Sequence, residues 1–419
     1  MAITNFTEAK KKLSDFIPRD HPSQQSYNLK RMFELMTYLG NPQNSLKIIH
    51  VAGTSGKTST AYYVAALLRE TGSKVGLTVS PHVGEINERL QINMTPLPES
   101  LYCSKLSEFI GLITDSHVKP TYFELLVAFA YWEFAKQKVD YAVVEVGLGG
   151  LLDGTNVVNR ADKVCIITDI GLDHTRILGP TLTAIARQKA GIINKQNTIF
   201  AFRQSPEVVA EIEKSAEKND ARLFLLNPTD VVSGIEFLPT FQRRNFTLAR
   251  EAVNYVIGRD RLPAILETQL LHAAHTYIPG RMEIFHLSNK IIIVDGAHNA
   301  QKLQALGEAI TTQFPDESIA ALVSFVAGGE ERLDGALQEI AKLTKKLIIT
   351  TFSGEQDTPK HSIDPAEIIA ASKGLSLQTT VIEKPELALA ALRAQPEPIL
   401  LITGSFFLLN HVRPLMLDQ

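Results

Sequence analysis

Short β-branched runs alternate with longer helical patterns along almost the whole chain, and this alternation narrows the fold further than any other property of the sequence. The periodicity predicts strands over 47–52, 74–79, 141–146, 163–169, 198–202 and 222–226, separated by helices over 58–70, 122–138, 182–193 and 206–218. Strands that alternate with helices pair as parallel βαβ units covered on both faces. A helical stretch over 245–275 leads to Pro279-Gly280, a strong local punctuation, and the alternation restarts with strands over 290–295, 318–325, 346–351, 377–382 and 398–403. The second set is self-contained, so the expectation is two α/β domains with a boundary near residue 282.

Composition excludes other classes. An apolar content of 45% is enough for packed cores and rules out intrinsic disorder. A formal charge of −3 argues against a nucleic-acid coat or a basic membrane-surface protein. The only cysteines, Cys103 and Cys165, have no metal-ligand spacing, so a reducing, cytoplasmic compartment is expected. No apolar signal core follows Lys10-Lys11-Lys12, and no apolar run reaches the ~20 residues of a spanning helix.

The most informative segment runs from Lys47 to Thr60, where a buried strand enters Gly53-Thr54-Ser55-Gly56-Lys57-Thr58-Ser59 and then a helix. Glycines let backbone N–H groups curl around phosphate oxygens, and the helix N-terminus adds partial positive charge. Lys57 would reach the β- and γ-phosphates, and the Thr58 hydroxyl would face Mg²⁺. The strict phosphate-loop pattern needs glycine where Val51 stands, so this is a variant. A chance Gly-Lys turn is the bland alternative, and the strand–loop–helix context weighs against it.

Three further strands end in groups that a Mg·ATP site could use: Ser80 after 74–79, Glu145 in 141–146, and His174 beyond 163–169. Carboxyl ends of parallel strands form the ligand crevice of such sheets. A carboxylate in an apolar strand is costly unless paired or metal-bound, which singles out Glu145. His174 alone would be read as a capping histidine, and only its company with Glu145 and Ser80 changes that. Imidazole remains an unusual ligand for Mg²⁺.

The ordered set resembles the folylpolyglutamate synthase/dihydrofolate synthase family of Mur-like amide ligases. The matching stretches are Leu39 to Gln43, His50 to Thr60, Ser80-Pro81-His82 with Asn87-Glu88-Arg89, and Tyr122-Phe123-Glu124. They continue through Glu145 to Asn156, Gly171 to His174, Ala186 to Ile192, Pro279-Gly280-Arg281, Asp295 to Asn299 and Thr403-Gly404-Ser405. The resemblance implies a P-loop-containing parallel-sheet ATPase domain over 1–281, followed by a smaller Rossmann-like α/β domain over 282–419 that serves as the glutamate-ligase domain.

By the same resemblance, residues 53–59 bind ATP phosphates, and Ser80, Glu145 and His174 hold Mg²⁺. Lys189 matches a lysine that these ligases carbamylate, supplying an anion for a second Mg²⁺. Asn245, Arg281, Asp295 and His298 match nucleotide contacts, whereas Ser405 could touch glutamate or only cap the next helix. Taken alone, Asp295 would be a strand-end turn residue, His298 a cap and Lys189 a solvated lysine. Lys57, Lys189, His174 and Arg281 carry the catalytic expectation.

The implied reaction activates a carboxylate of dihydropteroate or a reduced folate as an acyl phosphate, which the amine of L-glutamate then attacks. A monomer without nucleic-acid or membrane partners is implied as well. Thr58, Gly84-Glu85, Leu151, Gln188 and Ala300 depart from the family pattern, with leucine at 151 where arginine is usual. Those near 84 and 151 bear on the acceptor more than on the reaction. A Mur-like ligase with another acceptor, or a P-loop ATPase without ligase chemistry, are the rival readings.

Overall fold

The computed structural model describes residues 3–18, 28–328, 333–356 and 358–417. The chain divides into two compact units, Met1–Thr276 and Tyr277–Gln419. Among the described residues, no helix is long and apolar enough to cross a membrane.

The first unit is built on a sheet of eight strands: β1 (Lys47–Ala52), β2 (Val75–Thr78), β3 (Gln91–Ile92), β4 (Thr95–Pro96), β5 (Tyr141–Glu145), β6 (Val164–Ile167), β7 (Thr198–Phe202) and β8 (Arg222–Leu226). Their order is β4-β3-β2-β5-β1-β6-β7-β8. From β2 to β8 all pairings are parallel, and every residue of β2, β5, β6 and β7 is buried, as expected for strands covered on both faces. The periodicity missed β3 and β4, which add an antiparallel edge. Two-residue strands carry no period to read.

β1 lies at the centre, with Val51 opposite Glu145 on β5 and Ala52 opposite Ile167 on β6. The carboxyl ends of β5, β1 and β6 are therefore adjacent, which is where an open α/β sheet forms its crevice. The helix Lys57–Glu70 follows β1 and is buried continuously from Thr58 to Leu68. It packs on the helix Thr240–Asp260, with Tyr63 edge-on to Phe246 at 5.1 Å. The helix Tyr122–Lys136 starts with a capping box between Thr121 and Glu124, and Arg31 pairs with the same carboxylate at 3.1 Å. The expected helical stretch 245–275 is two helices, Thr240–Asp260 and Glu267–Ala274. Arg261, at φ +56, ends the first, and Pro263 has no N–H with which to continue it.

The second unit contains β9 (Glu283–Leu287), β10 (Lys290–Val294), β11 (Ile319–Val323), β12 (Lys346–Ile349), β13 (Ser353–Gln356), β14 (Thr358–His361), β15 (Gln378–Val381) and β16 (Ile399–Thr403). Six of these form a sheet in the order β15-β12-β11-β16-β10-β9, while β13 and β14 pair as a separate hairpin. The sheet is parallel except for β9, an antiparallel edge on β10. The alternation does not signal β9, because a hairpin neighbour needs no intervening helix.

Candidate active site

At the end of β1 the chain turns through Gly53. A Cβ at Gly53 would lie 1.7 Å from Thr168 Oγ1, so no side chain fits there. Gly56, at φ +83, adopts the left-handed backbone that glycine tolerates, and a Cβ there would lie 2.3 Å from Asn245 Oδ1. Asn245 is thus placed directly against the loop.

The loop is also stitched to the segment after β6. The amides of Thr54 and Ser55 donate to the Asp169 carbonyl at 2.8 and 3.1 Å. The Thr54 hydroxyl donates to Gly171 O and accepts from Gly171 N–H, each at 3.1 Å. Thr168 Oγ1 donates to Ser55 O at 2.7 Å. Of the expected phosphate cradle, two amides are therefore engaged by Asp169, and the amides of the first turn from Lys57 lie at the positive end of the helix. Ser55 Oγ is buried without a hydrogen-bond partner. A buried unpaired hydroxyl is costly, and an anionic oxygen would satisfy it. The residues present fit a phosphate.

Glu145 links three elements. Its Oε1 accepts from Thr58 Oγ1 at 2.8 Å, and its Oε2 accepts from Ser80 N–H at 3.1 Å. The loop threonine, the end of β5 and the segment after β2 thus meet at one buried carboxylate. Carboxylate and hydroxyl oxygens suit Mg²⁺. Among the described residues, no three acidic, His or Cys side chains converge on a metal-sized site. His174 caps the short helix Thr175–Leu178 at φ +50, half exposed, with Nε2 3.9 Å from Asp173 Oδ1. His174 thus occupies the N-cap position without a side-chain capping hydrogen bond, on a segment joined to the phosphate loop through Gly171.

Lys189, in the last turn of the helix Leu182–Ala190, is buried, and its Nζ donates to the Gly53 carbonyl at 2.7 Å. Lys57 Nζ donates to that same oxygen at 3.1 Å. Two ammonium groups sharing one acceptor place like charges within about 6 Å of each other.

In the second unit, Arg281 lies over the Phe406 ring at 4.1 Å. Asp295 is buried and accepts from the Met282 and Ala297 amides, each at 2.8 Å. Burial pushes its carboxyl above the usual range, opposed by the Arg281 charge and those amides. His298 Nδ1 lies 2.8 Å from Gly296 O, which can only accept, so Nδ1 carries the proton. Its Nε2 accepts from Lys302 Nζ at 3.1 Å. Ser405 caps the helix Phe406–Val412 by accepting from Phe407 N–H.

Sequence reasoning assigned no role to Thr168, Asp169 or Arg244. Arg244 pairs with Asp169 at 2.8 Å and covers the Phe202 ring at 4.4 Å. Nothing in the composition of these residues marks them, because their importance comes from the neighbouring strand end. Leu151 lies against Gly191 and is 40% exposed, and its amide donates to Gln188 O at 2.7 Å.

Two family models match the chain, the Mur ligase middle domain over residues 51–231 and the Mur ligase glutamate ligase domain over residues 280–406. The dihydrofolate synthase/folylpolyglutamate synthase of Bacillus subtilis is 30% identical over 424 residues, covering 92% of this chain and 94% of that protein. The chain belongs to the folylpolyglutamate synthase/dihydrofolate synthase family. It is accordingly an ATP-dependent ligase of the Mur type. The folylpolyglutamate synthase of Lacticaseibacillus casei is 28% identical over 417 residues, covering 93% of this chain and 94% of that protein. Among solved structures, Mycobacterium tuberculosis folylpolyglutamate synthase complexed with ADP and AMPPCP superposes with a TM-score of 0.82 at 26% identity, covering 98% of each chain. The family therefore accounts for both units.

Proposed function

We propose that this ligase adds L-glutamate to the carboxylate of dihydropteroate or a reduced folate, acting in the cytoplasm as a monomer. The observation that supports this most is the junction where Glu145 accepts from the Thr58 hydroxyl and the Ser80 amide, a carboxylate and a hydroxyl meeting beside the phosphate loop. In this reading, residues 53–59 and Asn245 hold ATP, with Lys57 on the phosphates. Arg281, Asp295 and His298 of the second unit serve the nucleotide as well. Ser80, Glu145 and His174 would hold Mg²⁺, which supplies charge neutralisation on the phosphates when bound.

The acceptor carboxylate attacks the γ-phosphorus, and ADP leaves. Lys57 and Arg281 stabilise charge on the transferred phosphoryl group. The glutamate amine then attacks the acyl phosphate, loses a proton and expels phosphate, forming the amide. No enzyme nucleophile is required. Carbamylation of Lys189 would replace one of two crowded cations with an anion, and the shared Gly53 carbonyl is what supports it.

The test is product mass and phosphate release from purified protein with Mg·ATP, L-glutamate and either dihydropteroate or a reduced folate. One added glutamyl unit on dihydropteroate, or serial addition to folate, supports the proposal. Extension of neither pterin, or phosphate release independent of glutamate and acceptor, would overturn it.

A further inference from the structure

The turn that carries Arg281 is fixed on both sides by buried carboxylates. Glu283 Oε2 accepts from Gly280 N–H at 2.8 Å, and Asp295 Oδ2 accepts from Met282 N–H at 2.8 Å. Gly296 N–H closes back onto Gly280 O at 3.0 Å. Met282 sits at φ +50, a costly backbone for a non-glycine residue that persists only where its surroundings hold it. Behind Glu283 stands Arg413, whose Nε lies 3.0 and 2.9 Å from the two carboxylate oxygens, with both side chains almost fully buried. Arg413 Nη2 donates to Tyr277 OH at 2.5 Å, and that hydroxyl donates to Glu283. Arg413 directly follows the helix Phe406–Val412, whose first residue gives the ring under Arg281.

A buried ion pair gives little net stability over well-packed apolar residues, so fold support alone does not explain this cluster. Its carboxylate is instead aimed at the amide next to Arg281. We propose that Tyr277, Glu283 and Arg413 are positioning residues that lock the Gly280–Met282 turn and so aim the Arg281 guanidinium. The proposal rests on the reading of Arg281 as a triphosphate contact.

A double-mutant cycle on the full-length enzyme tests it, measuring kcat and KM for Mg·ATP and for glutamate in Arg281→Ala, Arg413→Met, the pair together, and Arg413→Lys. The expectation is that Arg413→Met raises KM for ATP about tenfold and leaves KM for glutamate unchanged, while the pair is no worse than Arg281→Ala alone within about twofold. Arg413→Lys recovers part of the loss. If Arg413→Met does not fold, Tyr277→Phe removes one hydroxyl and enters the same cycle. Multiplying effects, or ATP and glutamate parameters that fall together, overturn the clamp. An unchanged KM for ATP together with an unchanged kcat in Arg281→Ala instead overturns the reading of Arg281, a result distinct from multiplicativity.

Discussion

Lys57 and Lys189 converge on the carbonyl of Gly53, so one backbone oxygen of the phosphate loop receives a lysine from its own helix and one from the helix Leu182–Ala190. Replacing Lys189 with alanine is expected to lower kcat about 10²–10³-fold while the fold survives, by loss of an electrostatic group at the reacting phosphates. Wild-type protein in ¹³C-bicarbonate should give a carbamate resonance that this variant lacks, and full activity in the variant would end the carbamate role. Gly53→Ala would drive a Cβ into Thr168 Oγ1. Thermal melts should register about 1–3 kcal/mol of destabilisation, together with a raised KM for ATP. At this scale the turn from β1 through Gly53 and Gly56 into the helix at Lys57 was legible from the Gly-Lys-Thr variant and its strand–loop–helix context. Thr168 and Asp169 were not, because a hydroxyl and a backbone carbonyl at a strand end leave no trace in the sequence that a neighbouring loop depends on them.

The segment that follows β5 is held under β1 by a buried polar chain. His50 Nε2 meets Thr155 Oγ1 at 2.8 Å, Thr155 Oγ1 donates to Asp153 Oδ1 at 2.5 Å, and Tyr131 OH donates to Thr155 O at 2.8 Å. Burial, and secondarily the Lys163 charge, holds the His50 imidazole well below the ordinary histidine range. Burial does the same to His82, followed by the charges of Arg89 and Lys10. The unfolded chain takes up protons that these native imidazoles exclude. Stability from both groups is thus complete above the ordinary value of ~6.5 and is lost as pH falls below it, by at most ~1.4 kcal/mol per pH unit for each histidine. Urea denaturation at pH 7.5 and 5.5 should show this loss, and His50→Gln should remove its own share of the slope. An unchanged slope would contradict the assignment. Long elements such as Lys57–Glu70 and Pro206–Lys218 announced themselves by period, whereas β3, β4 and the hairpin β13–β14 did not. Short antiparallel additions are set by their neighbours rather than by their own pattern.

The alternation of strands and helices foretold two α/β units because burial on both sheet faces leaves apolar runs that a single sequence displays directly. Strand ends also pointed to Ser80 and Glu145 near the Thr58 loop, and what they could not display is the bonding, in which the Glu145 carboxylate accepts from the Thr58 hydroxyl and the Ser80 amide. Glu145→Gln keeps the shape of that junction and removes its charge. It is expected to raise the Mg²⁺ concentration needed for half-maximal activity about tenfold or more, a shift read by metal titration at saturating ATP. The proposed reaction turns on direct phosphorylation of the acceptor carboxylate by ATP, and isotope transfer measures that step. With ¹⁸O in the acceptor carboxylate, turnover with Mg·ATP and L-glutamate should place one ¹⁸O in each inorganic phosphate released. Phosphate that emerges unlabelled while product forms would contradict the acyl-phosphate route.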